Sequence, residues 1–327
     1  MRAGTLLIAL LLIGSFIPLT SGAGEKPLVV TSIAPLAAIV QDAFGDSVEV
    51  VYIIPLGADP HEYQLTASQI ELLRQADIIV TTGGHLPVEK KIAELKAEGT
   101  ITGEALFIDD YKANGFRYLK EHWYNEKDNP HGIWLDPYNA LAIAQATEKA
   151  LEKADPHNAE LYRKGFECFN ERVITIVESY RAILTENLTA IIQMPSNQYA
   201  LEWLGITAVA SIKPEEEVPA LGVDELVEKA AEADLIVYGH ESPEQLTDAA
   251  KELAVKSRKS PAEITVFWKD RPYTEVLIEN SAAVIKALEE KPPEKLAEAR
   301  TDVTRYVVVS IIVGLVLGTA LGVILKK

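Results

Sequence analysis

Four histidines stand where chemistry can use them. His85 closes the run Ala76-Asp77-Ile78-Ile79-Val80-Thr81-Thr82-Gly83-Gly84-His85, and His240 closes Ala233-Asp234-Leu235-Ile236-Val237-Tyr238-Gly239-His240. Each follows a glycine at the carboxyl end of an apolar run too short for a helix. That is the end at which open α/β sheets bind ligands, and glycine leaves room for close approach. His61 lies in Pro55-Leu56-Gly57-Ala58-Asp59-Pro60-His61-Glu62-Tyr63, and His131 in Asn129-Pro130-His131-Gly132-Ile133-Trp134-Leu135-Asp136-Pro137. In both, the preceding proline stiffens the backbone and limits the entropy lost on fixing the ring. Taken singly, such a histidine is more often a satisfied structural residue than a ligand. Four of them together, with abundant carboxylates, suit a borderline divalent cation: zinc, or manganese if carboxylates contribute more. His157, in Asp155-Pro156-His157, reads as a helix-start residue facing water, and His122, beside Trp123 and Tyr124, as a surface residue.

The elements that must position these rings come in duplicate. Val48–Pro55 is followed by an amphipathic helix Ala67–Gln75 and the Ala76–His85 run; Thr207–Pro214 is followed by a helix Val223–Glu232 and the Ala233–His240 run. Each half reads strand, proline, loop, helix, Ala-Asp, apolar strand, glycine, histidine. Short continuous apolar runs suit the central strands of a parallel sheet, and further strands are expected at Leu28–Ser32, Leu106–Ile108, Thr189–Gln193 and Ile264–Phe267. The predicted fold is α/β: two lobes with small parallel sheets flanked by helices. Between them, Asp155-Pro156 is a helix start, and Glu160–Leu184 contains no proline and only Gly165 as a breaker. A long helix over 155–187 is therefore expected to act as a stiff strut between the lobes. The loop Glu215-Glu216-Glu217 reads first as solvated and second as a contact to the ion, and Cys168 as a small buried hydrophobe.

The chain has 327 residues, with 31 Lys+Arg against 48 Asp+Glu, a net charge of −17. That balance argues against nucleic-acid binding, which needs a basic footprint. With Cys168 as the lone cysteine, a disulfide framework and a cysteine-based zinc site are excluded. Arg2, the apolar Leu6–Leu19 and the small residues up to Gly24 read as a signal peptide over 1–23. Tyr306–Leu325 carries no charge and precedes Lys326 and Lys327, so a C-terminal transmembrane helix is expected over 306–325. The remaining divisions are a first lobe over 24–154, a second over 188–288 and a stalk over 289–305. The expected protein is exported and anchored on the extracytoplasmic face of the cell membrane by that helix.

The Pro55–Tyr63 loop is similar to the "PxGxDPHxY" loop, and Asn129–Pro137 to the "(D/N)PHxWLDP" motif, of the zinc- and manganese-binding receptors of ABC importers with a rigid helical backbone. In that family both motif histidines bind metal, and His85 falls where some zinc receptors place a glutamate near the ion. The likeness covers Pro27 to Leu288. It departs at Gln193-Met194-Pro195-Ser196-Asn197-Gln198-Tyr199, where the family offers a third histidine, and at His131, which is one residue further from Trp134 than usual. The resemblance implies a last ligand at Asp270, unless Lys269 and Arg271 hold that aspartate as a surface ion pair. His240 is the replacement that the internal repeat supplies. The expected ligand set is thus His61, His85, His131 and His240, with Asp270, around Zn2+ (alternative Mn2+). The partners implied are an ABC permease with its ATPase. A closed shell leaves no open water position, which speaks for transport and against an enzyme. Two alternatives remain open: an exported zinc metallo-hydrolase with a carboxylate such as Glu62 acting on a bound water, and a receptor or adhesin for an organic ligand on the same scaffold.

Overall fold

The computed structural model describes residues 26–184, 186–215 and 218–290. The first lobe runs β1 (Leu28–Ile33), α1 (Ala34–Phe44), β2 (Glu49–Ile54), α2 (Ala67–Gln75), β3 (Ile78–Val80), α3 (Pro87–Ala97), β4 (Glu104–Leu106) and α4 (Ile108–Lys112). A short antiparallel hairpin, β5 (Lys120–Glu121) with β6 (Lys127–Asp128), and the helix α5 (Pro137–Ala154) follow. Past the linking helix α6 (Ala159–Arg181), the second lobe runs β7 (Leu188–Ile192), β8 (Ile206–Ser211), α7 (Val223–Glu232), β9 (Leu235–Gly239), α8 (Glu244–Ser257), β10 (Pro261–Ile264) and α9 (Tyr273–Glu289).

The duplication seen in the sequence is a duplication of topology. The first sheet is ordered β2-β1-β3-β4 and the second β8-β7-β9-β10, each with its first strand flanked by its second and third, and every pair parallel. The repeated Ala-Asp has one job in both halves. Asp77 accepts the Leu28 N–H at 2.8 Å, and Asp234 accepts the Thr189 N–H at 2.9 Å. Each carboxylate thus satisfies a donor at the start of the central strand, while its own N–H bonds back to that strand. Val29, Val30, Ile78, Ile79 and Val80 are wholly buried, as strands covered on both faces must be.

The strut forms from one apolar stripe, Tyr162, Phe169, Val173, Ile176, Val177 and Tyr180, all buried on α6. Gly165 does not break it. An added Cβ there would lie 2.7 Å from the Ala43 carbonyl, so glycine is what lets α6 lie against α1. Asp42 of α1 accepts from Arg172 of α6 at 2.6 Å and from the N–H and hydroxyl of Thr274, at the start of α9, at 2.8 Å each. One apolar cluster joins Val29 and Ile79 of the first sheet, Phe169 and Val173 of the strut, and Ile192 and Val237 of the second sheet.

Several expectations need correcting. The strand expected at Leu106–Ile108 ends at Leu106, because the Asp110 carboxylate takes the Phe107 N–H at 2.8 Å and begins α4. The strand expected at Ile264–Phe267 is Pro261–Ile264. Beyond it, the Asn280 side chain pairs with both backbone groups of Thr265, and the Trp134 indole donates to the Val266 carbonyl at 2.9 Å. Proline is tolerated at Pro261 because β10 is an edge strand. Cys168 lies off the buried stripe of α6 and is exposed, not buried. The fold also loses its expected C-terminal transmembrane helix: among the described residues no helix is long and apolar enough to cross a membrane. The span expected over 306–325, like the leader over 1–23, lies outside the described residues, and anchoring by that helix is withdrawn from the localisation.

Candidate metal centre

Three of the predicted histidines converge. The ring centroids of His61 and His131 are 5.4 Å apart, those of His85 and His131 5.7 Å, and those of His61 and His85 6.1 Å. All three line one cavity of about 550 Å³ between the lobes, together with Asp59, Lys213, Glu241, Trp134, Met194 and Phe267, among others.

Each ring is set by its own local chemistry. His61 follows β2 on a tight loop in which the Asp59 side chain accepts the His61 N–H at 2.8 Å. In the same way Asn129 accepts the His131 N–H at 2.9 Å, while its amide donates to the Pro195 carbonyl and to Gln198, both at 2.9 Å. His131 is thereby tied to the second lobe. Gly132 is needed beside it, because φ is +78° and a Cβ would run into the Ser196 carbonyl. His85 follows two glycines with φ of +117° and +100°, which turn the chain after β3, and the ring lines the cavity. Burial, then repulsion from His131, His61 and Lys90, holds the His85 imidazole down at about 3, so it is neutral at physiological pH and able to donate a lone pair.

The second lobe contributes a carboxylate. Glu215, in the loop after β8, places Oε1 3.4 Å from His131 Nε2, with both side chains largely buried. Behind it, Glu121 of the hairpin is pushed up to about 8 by burial and then by the neighbouring Glu215 carboxylate. The Trp123 indole donates to the Pro214 carbonyl at 3.0 Å and so pins the loop that carries Glu215.

His240 and Asp270 are not brought to this group. The His240 side chain is 70% exposed and bonds Glu263 at 2.8 Å, an interaction that raises its proton affinity. The reason is strand alternation. An added Cβ on Gly239 would meet Ser242 and Val266, which line the cavity, so the next residue faces outward and Glu241 faces in. Unlike His85, His240 is not preceded by positive-φ glycines that would reverse this. Asp270 is 80% exposed and stands 3.6 Å from Lys269, the surface arrangement left open by the sequence. His122 pairs with Glu126 at 3.0 Å on the surface, and His157 is exposed. Glu215, expected first as solvated and second as a contact to the ion, is the second-lobe carboxylate that lies beside these rings. Its signal was the repeat itself, since it follows strand and proline in the second half as the His61 loop does in the first.

Among the described residues, no group of three or more His, Cys, Asp and Glu is arranged to hold a metal ion as it stands. The gap is small. Around a tetrahedral zinc with Zn–N near 2.05 Å, imidazole centroids would lie roughly 5.2 Å apart and neighbouring donor atoms roughly 3.35 Å apart. The His131–Glu215 contact of 3.4 Å already matches the second distance. The ring triangle is open by about 0.2–0.9 Å relative to the first.

The family model described as "ZnuA: Zinc-uptake complex component A periplasmic" matches residues 29–297. The manganese ABC transporter substrate-binding lipoprotein PsaA of Streptococcus anginosus is 26% identical over 245 residues, covering 70% of this chain and 78% of its own. A putative metal-binding protein of Thermotoga maritima is 27% identical over 235 residues, covering 70% and 81%. A crystal structure of ZnuA superposes with a TM-score of 0.66 at 20% identity, covering 81% of this chain and all of its own. A manganese-bound periplasmic metal binding protein from Candidatus Liberibacter asiaticus superposes at 0.64 with 18% identity, covering 80% and 100%. Two parallel α/β lobes joined by a long helix, together with the family match over residues 29–297, place the chain among the metal-binding receptors of the ABC-importer class. The chain belongs to the zinc-uptake complex component A family.

Proposed function

We propose that this protein captures one divalent metal ion, zinc in preference to manganese, on His61, His85, His131 and Glu215, and passes it to an ABC permease driven by its ATPase. The observation that carries the reading is the convergence of three imidazoles from three separate loops, with centroids 5.4–6.1 Å apart, beside a carboxylate from the opposite lobe. Neutral imidazoles brought this close in a half-buried cleft offer several lone pairs toward one region, the arrangement that a divalent cation uses. Three nitrogens to one oxygen suit zinc better than manganese, which favours carboxylate-rich shells. Four protein donors fill a tetrahedral shell, which supports carriage of the ion over hydrolysis on it. The shell spans the lobes, so ion binding would draw the Glu215 loop and the histidine loops together.

The test is calorimetric titration of the metal-stripped protein with zinc. Stoichiometric binding is expected, and it should be lost in a His61→Ala/His131→Ala double variant. No heat at micromolar zinc, or unchanged binding by the double variant, would reject the reading. The size of the cavity, about 550 Å³ with Trp134, Met194, Leu246 and Phe267 on its walls, favours one other reading: an organic ligand taken up with or instead of the ion. Protein purified without added metal would then carry a small molecule detectable by native mass spectrometry.

A further inference from the structure

The loop behind His85 holds more than a turn. Thr82 Oγ1 stands 3.3 Å from His85 Nδ1 and 2.9 Å from each carboxylate oxygen of Glu89. Glu89 is wholly buried. It accepts the N–H of Thr82 at 2.5 Å on one oxygen, and the N–H groups of Gly84 at 2.9 Å and Leu86 at 3.5 Å on the other. Burial raises its proton affinity above the ordinary carboxylate range, and the hydrogen bonds from Thr82 and Gly84 oppose that rise. Because Glu89 is the third residue of α3, the helix terminus favours the anion as well. What favours the carboxylate is geometric: the Thr82, Gly84 and Leu86 N–H groups and the Thr82 hydroxyl all aim at its two oxygens, where a proton would meet or displace one of them.

The consequence for His85 follows from counting protons. A hydroxyl donates once. With both Glu89 oxygens in reach, the Thr82 proton goes to the carboxylate, and the Thr82 oxygen can then only accept from His85. Nδ1 must therefore carry the ring proton, which leaves Nε2, on the opposite edge of the ring, as the nitrogen with the free lone pair. A histidine in water favours the other tautomer.

We propose that Glu89 and Thr82 form a relay that locks His85 in the Nδ1–H tautomer and so presents Nε2 to the metal. The proposal rests on the reading of His85 as a ligand. Thr82 and Glu89 are positioning residues, acting through the ring without touching the ion. Partners of this kind typically change metal affinity by about 10–100-fold when removed.

The test reads the tautomer directly. Long-range 1H–15N spectra of the metal-free full chain, with the His85 signals assigned by a His85→Gln variant, should show a protonated Nδ1 and a bare Nε2. Thr82→Val should lose this bias and bind zinc about 10–100-fold more weakly, and Thr82→Ser should restore both. Glu89→Gln gives a second reading that does not depend on Thr82. Its amide donates to the hydroxyl, which then donates to Nδ1, so the protonated nitrogen should become Nε2. The relay is overturned if the unaltered protein carries the proton on Nε2, or if Thr82→Val keeps both the tautomer and the affinity. Tautomer changes as expected, in a protein that binds no zinc, would uphold the relay and remove the ligand reading instead.

Discussion

Acidifying the metal-free protein should cost stability through His85, in a window set by burial. The imidazole titrates at about 3 in the folded protein, against 6.5 for the ordinary group. Between those values the unfolded chain takes up a proton that the folded chain refuses, so stability present above 6.5 is lost as pH falls toward 3. At pH 5 the difference amounts to 1.5 units, or about 2 kcal/mol. Replacing His85 with glutamine removes the titrating group. In chelator-treated samples, urea unfolding at pH 7 and pH 5 should therefore show the unaltered protein losing about 2 kcal/mol more than His85→Gln. At a slope of roughly 2 kcal/mol per molar urea, that is a difference of about 1 M in the shift of the midpoint. Equal losses in both proteins would refute the reasoning, because a ring that charges freely in the fold cannot be the desolvated one described here.

Three further outcomes follow from particular contacts. Glu215→Ala should weaken zinc binding at least roughly tenfold, more than the loss of an outer partner, while leaving the fold intact by circular dichroism. His240→Ala and Asp270→Ala should leave zinc affinity unchanged in the same titration, since both side chains face solvent. Asp42→Ala should lower unfolding free energy by about 2–4 kcal/mol, because it strips Arg172 and Thr274 of their shared acceptor where α1, α6 and α9 meet.

Much of the fold could be read from periodicity. The repeat of strand, proline, helix, Ala-Asp and strand predicted two like sheets, and the structure shows why the pattern recurs: Asp77 and Asp234 cap equivalent central strands. His61 and His131 were legible because Asp-Pro-His and Asn-Pro-His are turns whose first residue accepts the histidine N–H. What stayed hidden depended on side-chain direction at single positions. Gly-His marks the end of β3 and β9 alike, yet two positive-φ glycines turn His85 inward, whereas ordinary alternation turns His240 outward. The contact of Glu215 with His131 was obscured by a run of three glutamates that looks like solvated loop, whereas Trp123 holds the preceding residue, Pro214. Strand ends were misplaced where side chains replaced sheet partners, as Asn280 does at Thr265. The strut is one helix, Ala159–Arg181, shorter than the 155–187 expected, and the exposure of Cys168 depended on which face of that helix meets α1.

X-ray absorption at the zinc edge of the stoichiometric complex reports the ion's neighbours without reference to any mutation. Three imidazole nitrogens and one carboxylate oxygen at about 2.0–2.1 Å, with the outer-ring scattering of histidine and no sulfur, is the predicted shell. An all-oxygen shell without imidazole scattering would contradict it.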